Sequence, residues 1–309
     1  MNGIKTSVII PCYNEEEVIT DTYRRTKAVI DPSDEIIFIN DGSKDATFSR
    51  LKAIAQNDFS VKVISFSRNF GHQAAVSAGI NYCTGDVAFI IDADLQDPPE
   101  LFPDMLAIYR KEQCNVVYGV RTSREGEGFF KKITAKLFYK IINRLSDVPL
   151  PKDAGDFRLI DRAVIGEFRN LKEKNKYIRG LISWIGFKQC PFYYDRAPRQ
   201  LGSTKYPFAK MFRFATNGLL YFTKKPLSIA IAIGFLSILV GLGLAVYTFI
   251  IKLETPQNAV PGWASTIITI IFFGGIQLLS VGVLGKYIGS VFDEVKGRPE
   301  YIVESKINL

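Results

Sequence analysis

Two long runs without a charged residue constrain this chain more than any other feature of its sequence. Residues 228–251 and 262–285 each comprise 24 residues without Lys, Arg, Asp or Glu. A helix needs about 20 apolar residues to cross the hydrocarbon core of a bilayer. A surface helix of a soluble protein would carry a polar stripe, and neither run has one. The sequence therefore predicts a C-terminal hairpin of two transmembrane helices.

Basic residues surround the outer ends of these runs rather than the segment between them. The flanking residues are Lys224, Lys225, Lys286, Lys296 and Arg298. Residues 252–261, between the runs, contain one lysine and one glutamate. Because basic segments stay on the cytosolic side, we predict a plasma (inner) membrane protein with its N-terminal domain and both termini in the cytosol. We predict no signal peptide at the N-terminus, and we interpret the four scattered cysteines as reduced thiols.

The N-terminal part alternates short apolar runs with helical patterns. Strands are predicted at residues 6–10, 35–39, 61–66, 87–91 and 115–118, with Pro11 ending the first. Alternating strands and helices indicate an α/β fold with a mostly parallel sheet. Ligands of such sheets bind at the carboxyl ends of the strands.

An acidic segment, residues 92–100, follows the fourth predicted strand. Asp92, Asp94 and Asp97 place three carboxylates within six residues. Such a cluster suits Mg²⁺ or Mn²⁺, held by one or two carboxylates together with a substrate diphosphate. The alternative is a solvated acidic turn that begins the helix opened by Pro98 and Pro99.

Other polar groups follow neighbouring strands and fall on the same predicted edge. They are Pro11 to Glu15, Asp41 and Arg68. Each has an ordinary alternative: a helix N-terminal charge, a turn residue or a surface arginine. The single histidine, His72, is interpreted as a structural imidazole, although a role near a phosphate stays open. The convergence of these groups favours a binding site.

Four segments in this order resemble family 2 glycosyltransferases of the GT-A (Rossmann-like) fold. The segments are residues 11–16 (PCYNEE), 40–43 (NDGS), 67–71 (SRNFG) and 92–100 (DADLQDPPE). The chain is most similar to the polyprenyl-phosphate glycosyltransferases, related to dolichol-phosphate mannose synthase and to bactoprenol glucosyltransferases. The resemblance covers nearly the whole chain, including the paired apolar runs. His72 departs from it, because a lysine is more common at that position.

The resemblance implies roles for individual residues of the N-terminal domain. The nucleotide-sugar would be bound by Pro11, Tyr13, Glu15, Asp41, Arg68, Asp92 and Ala93. Asp94 and Gln96 would bind the divalent metal, Mg²⁺ or Mn²⁺, Asp97 would lie near the sugar, and Asp94 and Asp97 would both be catalytic residues. Asp156, in the segment GDFRL, would be a base or would orient the acceptor. Arg199 and Lys205 would contact the phosphates.

Two further helices are predicted at a membrane interface. Residues 129–145 combine an apolar face with lysines and an arginine at every fourth position, a pattern of interfacial helices that an ordinary surface helix also shows. Residues 206–225 form an aromatic and basic segment before the first apolar run. The predicted domains are therefore a glycosyltransferase domain over 1–205, a juxtamembrane helix over 206–225, and the hairpin with a short tail over 226–309.

These predictions combine into one function. The enzyme would transfer a hexose, most simply glucose, with inversion from a UDP-sugar to polyprenyl (undecaprenyl) phosphate, and the resemblance implies a homotetramer. The alternatives are transfer of mannose, galactose, GlcNAc or an aminoarabinose-type sugar, a processive polysaccharide synthase, and an inactive nucleotide-binding scaffold. The net charge of +8 would also suit nucleic acid. No nucleic-acid motif accompanies it, and the basic residues cluster beside the apolar runs.

Overall fold

The computed structural model describes residues 3–121, 154–174, 176–195, 225–254 and 262–309. These residues belong to two compact units. The first contains the described residues up to 195 together with residues 298–309, and the second contains residues 225–254 and 262–297. Arg199, Lys205 and the segments 129–145 and 206–224 lie outside the described residues.

The first unit consists of alternating strands and helices. Its strands are β1 (Thr6–Cys12), β2 (Glu35–Asn40), β3 (Val61–Phe66), β4 (Val87–Ile90), β5 (Val116–Arg121), β6 (Ala154–Asp161), β7 (Gln189–Tyr194) and β8 (Val303–Ile307). Its helices are α1 (Ile19–Val29), α2 (Thr47–Asn57), α3 (His72–Tyr82), a 3-10 turn (Pro99–Leu101), α4 (Phe102–Glu112), α5 (Arg162–Asn170) and α6 (Ile178–Ile185). Strands β1, β2 and β4 are buried along their whole length, as their continuous apolar sequences predict.

The described strands form one mixed sheet in the order β7-β5-β6-β4-β1-β2-β3-β8. Neighbours among β1 to β4 are parallel, and β5 is parallel to β7. Strand β6 runs antiparallel to both β4 and β5, and β8 runs antiparallel to β3. The predicted α/β fold with a mostly parallel sheet is therefore confirmed. Strand order reverses between β1 and β4, which is where ligands bind in sheets of this kind.

The prediction that Pro11 ends the first strand is wrong. Strand β1 continues through Pro11 to Cys12, and Pro11 pairs with Ile39 of β2. The Ile91 N–H donates to the Ile9 carbonyl, so the peptide groups of Ile9 and Pro11 point toward β4. Strand β4 ends at Ile90. The missing N–H of Pro11 thus leaves the β1–β2 ladder intact.

The C-terminal residues are part of the sheet rather than a free tail. Strand β8 pairs with β3 at the sheet edge, and the Ser67 N–H donates to the Ile302 carbonyl at 3.1 Å. The ring of Tyr301 stacks on Phe66 with 4.9 Å between centroids. Residues 298–309, predicted as a short tail of the hairpin, belong to the first unit.

The second unit contains two long apolar helices. They are α7 (Lys225–Glu254) and α8 (Trp263–Val295). Residues 227–244 of α7 and 269–295 of α8 are long and apolar enough to cross a membrane. Both helices extend beyond the uncharged runs from which they were predicted.

Candidate active site

Strand direction brings the predicted site residues to one edge of the sheet. The segments after β1, β2, β3 and β4 all leave from the carboxyl ends of parallel strands. Because β6 is antiparallel, its first residues, including Asp156, reach the same edge. The carboxylates of Glu15 and Asp92 both add to the rise that burial causes in the pKa of the Cys12 thiol, so both lie near the end of β1.

The turns after β1 and β2 are hydrogen-bonded to each other. Asn14 has a left-handed φ of 55°, which asparagine tolerates better than most residues. Its backbone N–H donates to Ser43 Oγ, and its side-chain oxygen accepts from the Lys44 N–H. The Glu15 N–H donates to Thr47 Oγ1 at 2.8 Å. Placement of acidic residues at a helix start does not account for these hydrogen bonds. The conformation of each turn therefore depends on the sequences of both.

Asp41 is buried and holds the segment that follows β3. Its two carboxylate oxygens accept hydrogen bonds from the backbone N–H groups of Phe70, at 2.6 Å, and Gly71, at 2.9 Å. Burial raises the pKa of Asp41, and these two hydrogen bonds oppose the rise. The Arg68 guanidinium lies 4.0 Å from the centroid of the Phe70 ring. Asp41 and Arg68, which were predicted to contact the nucleotide, therefore also stabilise the conformation of this segment.

Gly42 permits the close approach of these two segments. A Cβ at this position would lie 2.3 Å from the Arg68 carbonyl carbon, and the φ of +63° is itself unfavourable for other residues. We expect Gly42→Ala to lower the free energy of unfolding by about 2 kcal/mol or more. Gly166→Ala is the control, because Gly166 lies on α5 with nothing within 4 Å of an added Cβ. It should be stabilising by about 0.5–1 kcal/mol. Equal unfolding midpoints in urea for the two variants would contradict this account.

The acidic segment after β4 is tightly held by the protein. The Ala93 carbonyl accepts a hydrogen bond from Thr22 Oγ1 at 2.7 Å, and Asp94 Oδ1 accepts one from the Gln96 N–H at 3.1 Å. Leu95 has a left-handed φ of 58°. Burial raises the pKa of Asp92 to about 6; nearby His72 opposes the rise, and the carboxylates of Asp156, Asp97 and Asp94 add to it. This repulsion identifies the segment as a place where a cation would be stabilising.

Asp97 differs from the other carboxylates because it is fully buried. Tyr194, the last residue of β7, donates a hydrogen bond from its hydroxyl to Asp97 Oδ1. Arg121, the last residue of β5, has Nη2 3.9 Å from Asp97 Oδ2. Burial and the nearby carboxylate raise the pKa of the Tyr194 phenol well above its usual value. Asp97 thus joins the acidic segment to the ends of β5 and β7, a role that the sequence did not reveal.

The donor set of the acidic segment fits a hard divalent cation. Asp94 and Gln96 are partly exposed and offer carboxylate and amide oxygens. Within the described part of the chain, no group of three His, Cys, Asp or Glu side chains is arranged to hold a metal ion. A Mg²⁺ or Mn²⁺ ion here would take its other ligands from water and from a substrate diphosphate, as such ions commonly do.

Asp156 is paired with two basic side chains. Arg179 of α6 forms a bidentate ion pair with it, with Nε 2.7 Å from Oδ1 and Nη2 3.0 Å from Oδ2. His72, the first residue of α3, has Nε2 3.2 Å from Asp156 Oδ2 and 3.8 Å from Asp92 Oδ1. His72 therefore lies between the acidic segment and β6. In the sequence, His72 directly follows the segment after β3, and this position was the signal that it would lie near this edge of the sheet.

The pKa values in this cluster follow from its charges. Burial raises the pKa of Asp156, but Arg179 and His72 outweigh it and hold the pKa well below the usual value. Burial lowers the pKa of His72, but the carboxylates of Asp156 and Asp92 outweigh it and raise the pKa to about 9. At neutral pH, Asp156 is therefore ionised and His72 is protonated.

Comparison with known proteins gives matches along the whole chain. Residues 7–169 match the family described as Glycosyl transferase family 2. The chain is 47% identical over 312 residues to the uncharacterized glycosyltransferase YkcC of Bacillus subtilis, covering 99% of this chain and 95% of that one. It is 37% identical over 308 residues to the bactoprenol glucosyl transferase of Shigella phage SfII, covering 97% and 98%. A solved glucosyl-3-phosphoglycerate synthase from Mycobacterium tuberculosis, in complex with Mn²⁺, UDP and glucosyl-3-phosphoglycerate, aligns with a TM-score of 0.48 and 20% identity, covering 71% and 78%.

Proposed function

The chain belongs to glycosyltransferase family 2, and we propose that it transfers glucose from UDP-glucose to a polyprenyl phosphate at the cytosolic face of a membrane. The observation that carries this proposal is the similarity to a bactoprenol glucosyl transferase over 97% of the chain. The two apolar helices support it, because a polyprenyl acceptor stays in its bilayer. Transfer of another hexose to the same lipid is the second candidate.

The proposed reaction needs no net proton transfer. A phosphate oxygen of the acceptor dianion attacks the anomeric carbon of glucose, and the bond from that carbon to the diphosphate breaks. The electron pair of that bond stays on the diphosphate, so UDP leaves and the acceptor becomes a phosphodiester. Because the attack comes from the side opposite the leaving group, the anomeric configuration inverts.

The chain's own residues would orient the two substrates. Pro11, Tyr13, Glu15 and Asp41 would surround the nucleoside, with Asp92 and Ala93 beside the diphosphate. Asp94 and Gln96 would hold a divalent cation, which would stabilise the charge that develops on the departing diphosphate. Arg199 and Lys205, outside the described residues, would offset the repulsion between donor and acceptor phosphates.

The chain connectivity supports a hairpin topology. The parts of the chain on both sides of α7 and α8 contribute strands to one sheet, because β8 pairs with β3. Two parts of one sheet lie on the same side of a membrane, so an even number of crossings separates them. Basic residues at the outer ends of the helices favour the cytosol as that side.

Thiol labelling tests this topology. The four native cysteines are buried, so a membrane-impermeant maleimide should give little background. We expect Asn258→Cys, between the helices, to be labelled from outside intact cells. Asp104→Cys, at an exposed position of α4, should be labelled only after the cells are opened. Labelling of both variants in intact cells would exclude a cytosolic catalytic unit.

A lipid-extraction assay tests the activity itself. Purified full-length protein in detergent would receive undecaprenyl phosphate, Mg²⁺ or Mn²⁺, and radiolabelled UDP-glucose, UDP-galactose or UDP-GlcNAc in separate reactions. We expect label in the organic phase with UDP-glucose, and mass spectrometry of that lipid would identify the sugar. Label from another donor alone would favour the second candidate, and the absence of lipid product with every donor would overturn the proposal. Native mass spectrometry of the same sample would test the tetramer.

A further inference from the structure

The carboxylate of Asp156 is surrounded by cations from two different helices. Both of its oxygens bind Arg179 of α6 in a bidentate ion pair, and one of them also contacts His72 of α3. Bidentate pairs of this kind fix the orientation of the guanidinium as well as its charge. The carboxylate is largely buried, with 14% of its side chain exposed. A general base would accept the substrate proton on one of these oxygens. Both are already bound, by Arg179 and His72.

His72 extends this contact to the acidic segment. Its Nε2 lies between Asp156 Oδ2, at 3.2 Å, and Asp92 Oδ1, at 3.8 Å. The two carboxylates come from β6 and from the segment after β4, and these strands are neighbours in the sheet. A protonated imidazole between them offsets a repulsion that would otherwise separate the two. His72 thus holds together the segment proposed for the donor diphosphate and the strand proposed for the acceptor.

The net effect of the surrounding charges favours an ionised Asp156 beside a protonated His72, because at His72 the two carboxylates outweigh burial and Arg179, and at Asp156 the two cations outweigh burial. The charged groups that act on the pair are Arg179, Arg158, Asp92 and Asp41, and Asp94 and Asp97 act on Asp92. An effective general base has a pKa near the working pH, whereas the cations hold the pKa of Asp156 well below its usual value. A phosphate monoester has a second pKa of about 6, so most of the acceptor is already a dianion at neutral pH. The reaction has little need of a base at this position.

We propose that Asp156 is a positioning residue that fixes Arg179 and His72, and through His72 the Asp92 end of the acidic segment, and that it takes no proton from the acceptor. This assignment rests on the proposed function. It also gives His72 a specific task in the transfer reaction, where the sequence favoured a structural imidazole and left a role near a phosphate open.

The pH dependence of Asp156→Asn separates positioning from base catalysis. In this variant His72 loses the nearer of the two carboxylates that raise its pKa, so it loses its proton at a lower pH than in the wild type. We expect the ratio of wild-type to variant kcat to be about 10- to 100-fold, as for a small misplacement of reacting groups. This ratio should be at least as large at pH 8 as at pH 6. A base would give the opposite trend, because the acceptor needs no base once it is a dianion. A ratio that falls to near one at pH 8 would overturn the proposal.

Variants of His72 give a second test that does not depend on Asp156→Asn being folded. His72→Lys keeps a cation near both carboxylates, and His72→Gln removes it. We expect His72→Gln to lower kcat by about tenfold or more, and His72→Lys to retain most of the activity. A wild-type kcat for His72→Gln would contradict the proposal. Wild-type activity serves as the reference in both tests, so an inactive wild type would count against the proposed function and not against this assignment.

Discussion

Replacing Asp94 by alanine is expected to lower the rate of glucosyl transfer by at least about 10³-fold while the catalytic unit stays folded. Asp94 is partly exposed, and its carboxylate together with the Gln96 amide offers oxygen ligands suited to a divalent cation. Asp94 Oδ1 accepts a hydrogen bond from the Gln96 N–H at 3.1 Å. Losing that bond should cost only about 1 kcal/mol of stability. The effect on rate should therefore greatly exceed the effect on folding.

The measurement compares initial rates of lipid labelling with thermal unfolding of the same samples. Asp104→Ala is the matched control, because it removes an exposed aspartate from the first turn of α4, outside the site. It should leave the rate unchanged within about twofold. Chelation with EDTA should reproduce the loss in the wild type, and Mg²⁺ or Mn²⁺ should restore it there but not in Asp94→Ala. Full activity of Asp94→Ala, or of the wild type in EDTA, would contradict the proposed role of Asp94 as a metal ligand.

The parallel part of the sheet could be predicted because its strands carry local signals. Strand β3 was predicted at its observed bounds, and β1, β2 and β4 within two residues, because each is a short, mostly apolar and buried run followed by turn residues. Such runs need no information about their neighbours. Because these strands are parallel, the polar residues that follow them were predicted to meet at one edge of the sheet.

The antiparallel strands could not be placed in the same way, because their position depends on distant partners. Strand β6 inserts between β4 and β5, and its local sequence does not indicate its direction. In β8, the apolar residues Val303 and Ile307 alternate with exposed Glu304 and Lys306, a pattern of a half-exposed strand. Five residues after a long apolar helix do not indicate which sheet edge they will join.

The contacts of the site were predicted less well than its location. Asp156 and Asp92 were identified from motifs, whereas the role of His72 between them depends on three elements that meet only in the folded sheet. Likewise, the partners of Asp97 are the last residues of β5 and β7, and β7 had not been predicted. Side chains that act through other side chains leave little signal in the sequence.

The C-terminal segment leads to the second large effect. Deleting residues 298–309 is expected to destabilise the catalytic unit by about 3–5 kcal/mol and to abolish transfer. The deletion removes the β8 ladder from β3 and the stacking of Tyr301 on Phe66. It also removes the hydrogen bonds from Asn308 Nδ2 to the carbonyls of Ala55 and Val61. Strand β3 would become an exposed edge directly before the segment that contains Arg68 and His72.

Hydrogen–deuterium exchange would locate this effect in the chain. We expect faster exchange over residues 61–72 than over β1, because β8 and Ile302 contact β3 and Ser67 directly. Tyr301→Ala should reproduce about 2 kcal/mol of the destabilisation through lost stacking and packing. Tyr301→Phe keeps the ring and loses only the hydrogen bond from Asn81, so it should cost about 1 kcal/mol.

Leu309→Ala provides the matched control for these changes. Leu309 is the last residue and is 47% exposed, so its truncation should alter the free energy of unfolding by less than about 0.5 kcal/mol. If the deletion variant keeps wild-type exchange over residues 61–72 and wild-type activity, β8 does not support the site. A different result would support the role of β8: faster exchange over residues 61–72 and loss of transfer, with wild-type exchange over β1. Strand β8 would then be a structural part of the sheet edge that carries the site.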